Sequence, residues 1–142
     1  MTRGKTCTLP PENLQIEAAQ SWLARARSSL LLARQAPQQG VFLEDLAFQA
    51  QQAAEKAIKA VYLRFGLAFR YTHDLEELLA GLEGTGCTIP AAVRESITLT
   101  RFAVEARYPS PAEPLSPDEL QEATDLAQTV LEWASQLISS QD

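Results

Sequence analysis

The residues best suited to bind an anion lie late in the chain, where Arg101, Glu105 and Tyr108 follow one another at intervals of four and three. On a helix this spacing brings the three side chains to one face. Arg107 is adjacent, and two guanidinium groups with a phenol could hold a phosphate or carboxylate, because guanidinium makes paired hydrogen bonds to such oxyanions. The alternative interpretation is an Arg101–Glu105 ion pair on a solvated face, with Tyr108 packed at the end of the helix.

His73 is the single histidine of the chain and the one ordinary acid–base group near neutral pH. Asp74 follows it directly and could orient the ring. The alternative is structural, because His73 also stands at the start of a predicted helix, where the ring would make a local hydrogen bond. The sequence leaves both interpretations open, so Arg101 and His73 are the two candidates for a catalytic role.

A third set of polar residues lies on the second predicted helix, where Gln49, Gln52, Lys56 and Lys59 share a narrow stripe. Such a stripe is typical of a solvated face, and it is also typical of a surface that contacts a partner. Glu55 borders the stripe and pairs with Lys59 at i, i+4. The residues expected to contact a partner are Gln52, Lys56 and Lys59.

The well-marked enzyme motifs are missing from the sequence. There is no glycine-rich phosphate loop, no nucleophile elbow and no helix with paired histidines. One histidine and two cysteines, Cys7 and Cys87, do not make a transition-metal cage. We therefore expect no metal site and no cofactor, and we expect both cysteines to be free thiols in a reducing cytoplasm.

The charge balance excludes a generic basic nucleic-acid binder, because 12 Lys and Arg against 18 Asp and Glu give 142 residues a net charge of −6. The distribution is uneven. Residues 1–70 carry nine basic and five acidic side chains, or +4, whereas residues 71–142 carry three and thirteen, or −10. The three late basic residues are Arg94, Arg101 and Arg107, so two of them belong to the candidate anion site.

Apolar residues recur at helical spacing along most of the chain, which predicts an all-α protein. The pattern predicts an up-and-down bundle of four long helices plus one short helix, in a single domain over residues 13–138. A flexible tail over residues 1–12 and a frayed end over residues 139–142 complete the predicted organisation. We expect no membrane span and no secretory signal. The predicted helices cover residues 13–36, 43–65, 72–81, 90–106 and 116–138, the third being the short one.

Three blocks of the sequence together resemble the HEPN domain, a small helical family named for nucleotide binding in higher eukaryotes and prokaryotes. The first block reads Gln-x-x-Glu-Lys-x-x-Lys at residues 52–59, the second His-Asp-Leu at residues 73–75 and the third Arg-Tyr-Pro at residues 107–109. The resemblance extends over residues 16–138. It implies a helical bundle that forms a homodimer and is often paired with a minimal nucleotidyltransferase, in a toxin–antitoxin or substrate-binding role.

Many relatives are metal-independent ribonucleases, whose signature is an arginine followed after four to six residues by a histidine. Arg101 matches the arginine, but the positions for the histidine hold Ala106, Arg107 and Tyr108. Arginine cannot accept a proton at neutral pH, so the general base of that signature is absent. In relatives paired with a nucleotidyltransferase a tyrosine of this region can be modified. The resemblance therefore makes Tyr108 the candidate for such a modification.

Two functions are consistent with these observations. The preferred hypothesis is a dimeric binding partner of a nucleotidyltransferase that holds a nucleotide or anion through Arg101, Arg107 and Tyr108. The alternative is a divergent metal-independent endoribonuclease toxin, in which an arginine stabilises the scissile phosphate and His73 contributes across the dimer. A purely structural helical dimer is the third interpretation.

Overall fold

A computed structural model describes residues 12–105 and 114–140, and within these ranges the chain is helical and contains no strand. The all-α prediction is confirmed. Residues 1–11 and 141–142, most of the predicted tail and part of the predicted frayed end, lie outside the described residues. The elements are α1 (Glu12–Ala33), α2 (Leu43–Arg64), α3 (Leu75–Gly84), α4 (Ala91–Arg94), a 3-10 turn (Glu95–Leu99), α5 (Thr100–Glu105) and α6 (Pro117–Ser139).

Helix α2 lies at the centre and contacts α1, α3, α5 and α6. Its small residues are the physical reason, because alanine lets a neighbouring backbone approach closely on more than one side. Each of the following is completely buried: Ala47, Ala50, Ala53, Ala54, Ala57 and Ala60.

Local chemistry sets where α2 and α3 end. Gly66 follows α2 with φ of 67°, a left-handed conformation that glycine adopts without steric cost. The amide of Leu67 then donates to the carbonyl of Tyr62 at 2.9 Å, and the amide of Gly66 donates to that of Leu63 at 3.2 Å. These two bonds form a Schellman motif. Gly86 ends α3 in the same way, so both helices stop where the sequence places a glycine.

The start of α6 matches the prediction closely. Ser116 Oγ accepts the Glu119 amide at 3.1 Å, and the Glu119 carboxylate accepts the Ser116 amide at 2.9 Å, which completes a capping box. The start of α3 differs from the prediction. The predicted helix begins at residue 72, but Asp74 is the N-cap and accepts the amides of Glu76 and Glu77. Thr72 instead accepts the amide of Asp74 at 3.1 Å.

The fourth predicted helix is interrupted. Between α4 and α5, Ser96 Oγ donates to the carbonyl of Val93 at 2.6 Å and Thr98 Oγ1 donates to that of Glu95 at 3.1 Å. Hydroxyl groups that bond to a carbonyl three residues back compete with the α-helical pattern, and the backbone tightens into a 3-10 turn. As a result α5 is a separate short helix rather than the end of a long one.

The segment between α2 and α3 is held down by aromatic packing. The ring of Phe69 meets Trp22 of α1 at a centroid distance of 6.2 Å and Tyr62 of α2 at 5.4 Å, both edge to face. Tyr62 in turn donates a 2.6 Å hydrogen bond to the carbonyl of Leu78 in α3. This packing fixes the segment that carries His73 against α2.

Candidate functional site

Three polar side chains lie inside the bundle on one face of α2. Gln51, Glu55 and Lys59 are spaced four residues apart, so they stack along the helix, and their residues are 0%, 5% and 3% exposed. Charged side chains are almost never buried unless they are paired. We call Gln51, Glu55, Lys59 and His73 the polar cluster.

Glu55 is the centre of the polar cluster. One of its carboxylate oxygens accepts from Lys59 Nζ at 2.8 Å, and the other lies 2.9 Å from His73 Nδ1. Gln51 Nε2 donates to the second oxygen at 3.2 Å and to the backbone carbonyl of His73 at 3.0 Å. The half-buried Gln52 adds a bond to the Gln51 amide oxygen at 2.8 Å. The carboxylate therefore joins a cation, an imidazole and an amide.

These contacts decide the ionisation of Glu55. Burial by itself raises the pKa of a carboxyl group, because it disfavours the charged form. For Glu55 that effect is outweighed by the bonds from Lys59, His73 and Gln51, and its pKa lies below the usual value. Glu55 is therefore an anion at neutral pH, despite its burial.

The ionised carboxylate also sets the state of the His73 ring. A carboxylate has no proton to donate, so the 2.9 Å bond requires the hydrogen on Nδ1. In neutral imidazole Nε2 is then the unprotonated nitrogen, an acceptor of hydrogen bonds and of protons. The side chain of His73 is 36% exposed, so the ring extends from the buried carboxylate to the surface.

Two aromatic rings lie close to the Lys59 ammonium, in addition to the Glu55 carboxylate. The Nζ atom lies 5.2 Å from the ring centre of Phe69 and 5.5 Å from that of Tyr71, within the range of cation–π attraction. Tyr71 as a residue is 87% exposed, and its ring centre lies 6.2 Å from that of the His73 ring. One aromatic side chain thus packs inside the bundle and the other projects beside His73.

Helix α5 begins against the turn that carries His73. The amide of Leu75 donates to Thr100 Oγ1 at 3.1 Å, and Arg101 is the next residue of α5. The Arg101 side chain is exposed, with its guanidinium carbon 4.4 Å from the ring centre of Phe102. The bonds from Ser116 and, to a smaller extent, the charge of Arg101 lower the pKa of Glu119. The fold thus brings the arginine helix to the histidine turn within a single chain.

The residues predicted to bind an anion or to act in catalysis form two groups. Arg101 and His73 lie on neighbouring elements, which are joined by the bond from the Leu75 amide to Thr100 Oγ1. Arg107 and Tyr108 lie outside the described residues, so their part in an anion site stays a prediction.

The residues predicted to contact a partner are less exposed than the stripe indicated. Lys59 is buried in the polar cluster and is not on the surface. Lys56 is half-buried and donates to Ser29 Oγ at 2.9 Å, and its burial, with the nearby charge of Arg25, lowers its pKa. Gln52 is half-buried and bonded within the chain. A partner surface that includes Gln52 and Lys56 stays a prediction, whereas Lys59 lies inside the bundle, where it pairs with Glu55.

Sequence reasoning missed Glu55 and Gln51 as members of a site. The available signal was the i, i+4 spacing of Gln51, Glu55 and Lys59 within an alanine-rich helix that has neighbours on several sides. On such a helix a row of polar side chains can face a neighbouring element and be buried in the bundle. The partner of Glu55, however, comes from His73, eighteen residues further along the chain.

Two surface cavities lie away from the polar cluster. One, of about 290 Å³, is lined at the α1–α2 hairpin by residues that include Leu32, Val41 and Leu46. The other, of about 450 Å³, is lined by residues that include Phe65 and Cys87, and burial raises the pKa of this thiol. Among the described residues that line them there is no lysine, arginine or histidine, so neither cavity offers a cation to an anionic ligand.

The comparison with family models decides the membership of the chain, since the HEPN domain model matches residues 19–137. The chain belongs to the HEPN domain family. Among solved structures it is similar to TT1696 from Thermus thermophilus, with 30% identity, a TM-score of 0.63, and coverage of 89% of this chain and 97% of the other. It also shares the fold of ST0689, an archaeal HEPN homologue, with 24% identity, a TM-score of 0.53, and coverage of 92% and 99%. A comparison with curated proteins found no match.

Neither a candidate metal site nor a candidate membrane span is found in the described part of this HEPN chain. In residues 12–105 and 114–140 no group of three or more His, Cys, Asp or Glu side chains is placed to hold a metal ion. Over the same residues no helix is long and apolar enough to cross a membrane.

Proposed function

We propose that this HEPN chain is a dimeric binding protein that docks a minimal nucleotidyltransferase and holds a nucleotide through Arg101, together with Arg107 and Tyr108. The observation that carries the proposal is the 3.1 Å bond from the Leu75 amide to Thr100 Oγ1, which places the start of α5 against the His73 turn. The guanidinium of the exposed Arg101, the imidazole of His73 and the phenol ring of the exposed Tyr71 then belong to adjacent elements. Such groups bind the phosphate and the base of a nucleotide.

The sequence supports binding more than the ribonuclease chemistry of the family. The positions where the signature histidine would follow Arg101 hold Ala106, Arg107 and Tyr108. Guanidinium binds phosphate but does not accept a proton from a ribose hydroxyl, so an arginine-rich block suits recognition. Members of the family generally dimerise, which supports a dimer as the binding unit.

Calorimetry with AMP and ATP tests the nucleotide site. We expect Arg101→Ala to weaken binding by about tenfold, because a charge-assisted bond contributes on the order of 1.5–3 kcal/mol. Arg94→Ala is the matched control, since Arg94 is also an exposed helical arginine but is paired with Glu83. Equal affinity in wild type and Arg101→Ala would remove Arg101 from the site, and no binding of either nucleotide would remove the site itself.

A second experiment tests the protein partner. The purified chain is mixed with a minimal nucleotidyltransferase, and the mass of the complex is measured by size exclusion with light scattering. We expect a complex that contains two copies of this chain. Addition of ATP should then increase the mass of the chain by one nucleotidyl group, and Tyr108→Phe should abolish the increase. An unchanged mass, or modification of another residue, would contradict the role of Tyr108.

A metal-independent endoribonuclease is the second candidate, and the Glu55–His73 bond favours it. An imidazole oriented by a buried carboxylate is the arrangement that general bases use. The test is incubation of purified protein with RNA in the presence of EDTA, beside the Arg101→Ala/Arg107→Ala double variant. Cleavage by wild type alone would support this candidate, and no cleavage above the variant would exclude it.

A further inference from the structure

The His73 ring has one nitrogen bound inside the protein, and its side chain is 36% exposed. Within residues 12–105 and 114–140 its hydrogen bond is made at Nδ1, and no described side chain bonds to Nε2. Because Glu55 holds the hydrogen on Nδ1, Nε2 of the neutral ring presents a lone pair. A ligand that meets this atom must bring a hydrogen-bond donor.

We propose that His73 Nε2 accepts a hydrogen bond from a ribose hydroxyl of the bound nucleotide, and that Glu55 is the positioning residue that presents it. This inference rests on the proposed nucleotide site and names the part of the ligand that the site reads. The phosphate of the nucleotide lies toward Arg101 and the sugar lies over His73. The site therefore selects ribonucleotides over nucleotides that lack the hydroxyl groups.

The choice of a hydroxyl follows from the chemistry of the two neighbouring groups. A phosphate at neutral pH has acceptor oxygens, which suit the donors of Arg101 but not the lone pair of Nε2. The ribose hydroxyls are the donors nearest to the phosphate in a nucleotide. Since α5 begins beside the His73 turn, the two protein groups lie on adjacent elements, as a phosphate and its own sugar require.

The positioning role of Glu55 follows from how firmly it is held. Its carboxylate is bonded to Lys59 Nζ at 2.8 Å and to Gln51 Nε2 at 3.2 Å, and its side chain is 6% exposed. A carboxylate held on several sides keeps the imidazole in one orientation and one tautomer. The exposed Tyr71 ring, 6.2 Å from that of His73, adds a flat surface beside the sugar on which a base can stack.

Nitrogen-15 NMR of the ligand-free protein at pH 8 tests the positioning directly. We expect the His73 signals of a neutral ring with hydrogen on Nδ1 and none on Nε2. In Glu55→Gln the strict preference should be lost, because an amide can donate as well as accept. A wild-type ring with hydrogen on Nε2 would overturn the inference, whatever the protein binds.

Calorimetry with AMP and 2′,3′-dideoxy-AMP tests the ligand contact. Wild type should bind AMP about tenfold more tightly than 2′,3′-dideoxy-AMP, because loss of the ribose hydroxyl leaves a polar group unpaired. His73→Ala should bind both nucleotides equally, and Arg101→Ala should bind both more weakly but keep their ratio. Equal affinities in wild type would overturn the ribose contact and leave the proposed function intact. Binding of neither nucleotide would overturn both.

Discussion

Two glutamates of this HEPN chain form close ion pairs in different surroundings. Glu55 bonds Lys59 at 2.8 Å, with side-chain exposures of 6% and 3%, whereas Glu77 bonds Arg70 at 2.6 and 2.8 Å with exposures of 37% and 74%. Both glutamates have pKa values below the usual range, Glu55 in spite of its burial and Glu77 because of its bonds to Arg70. The two pairs have similar bond lengths, but the Arg70–Glu77 pair is in contact with solvent and the Glu55–Lys59 pair is buried.

The comparison shows that burial, more than bond length, decides what an ion pair does. Water and salt screen the Arg70–Glu77 pair, and either side chain can be solvated alone. Neither Glu55 nor Lys59 has that alternative, so each depends on the other and on the groups around them. The buried pair can therefore hold the His73 ring in one orientation, whereas the exposed pair lies on the surface of the protein.

The largest effect is expected from Glu55→Ala, which leaves the Lys59 ammonium buried without its anion. Loss of one partner of a buried pair costs about 3–5 kcal/mol in the free energy of unfolding, and urea denaturation measures it. The double variant Glu55→Leu/Lys59→Met is the control and should recover most of the loss, because it replaces both charges by apolar groups. A single variant as stable as wild type would contradict the dependence of Lys59 on Glu55.

The next effect is a dependence on pH. Because the pKa of Glu55 is lower in the folded protein than the ordinary value of 4.5, its contribution is complete above that value and declines as pH falls through the folded pKa. The stability difference between wild type and Glu55→Gln should thus shrink as the pH falls below about 4.5. Thermal unfolding at a series of pH values measures this difference, with Glu77→Gln as the exposed counterpart. A difference that grows as the pH falls below about 4.5 would contradict the lowered pKa of Glu55.

A smaller effect is expected from His73→Ala, because its ring is half-buried and Glu55 keeps Lys59 and Gln51 as partners. We expect a loss of about 1 kcal/mol in the free energy of unfolding, the usual contribution of one hydrogen bond. Urea denaturation provides the value. A loss as large as that of Glu55→Ala would show that His73 serves the fold and would argue against its role at the surface.

The smallest effect is expected from Arg70→Ala. The Arg70 side chain is 74% exposed, so the variant should unfold at the same urea concentration as wild type within error. Any difference at low salt should vanish at high salt, because exposed charges are screened. A large, salt-independent loss of stability in this variant would erase the distinction between the two pairs.

The sequence predicts most of this fold because its signals are local. The alanine-rich pattern predicts a central α2, and the Ser116–Glu119 spacing predicts the start of α6. The interruption between α4 and α5 is harder to foresee, because Ser96 and Thr98 are compatible with a continuous helix until their hydroxyls bond to the carbonyls.

The candidate site is less predictable, because it forms through distant contacts. The spacing of Lys59 indicates a surface residue, but the segment of Phe69 and Tyr71 packs over it and His73 reaches Glu55. The start of α5, where Arg101 lies, meets this turn through a bond from the Leu75 amide to the hydroxyl of Thr100, twenty-five residues away. Single side chains that meet across the bundle leave no periodic pattern in the sequence.

The most direct measurement is a crystal structure of the protein with bound AMP. We expect the phosphate on Arg101, a ribose hydroxyl within hydrogen-bond distance of His73 Nε2, and the Glu55–His73 bond unchanged. A nucleotide bound away from Arg101 and His73, for example in the cavity beside Cys87, would contradict the central claim that the polar cluster presents His73 to the ligand.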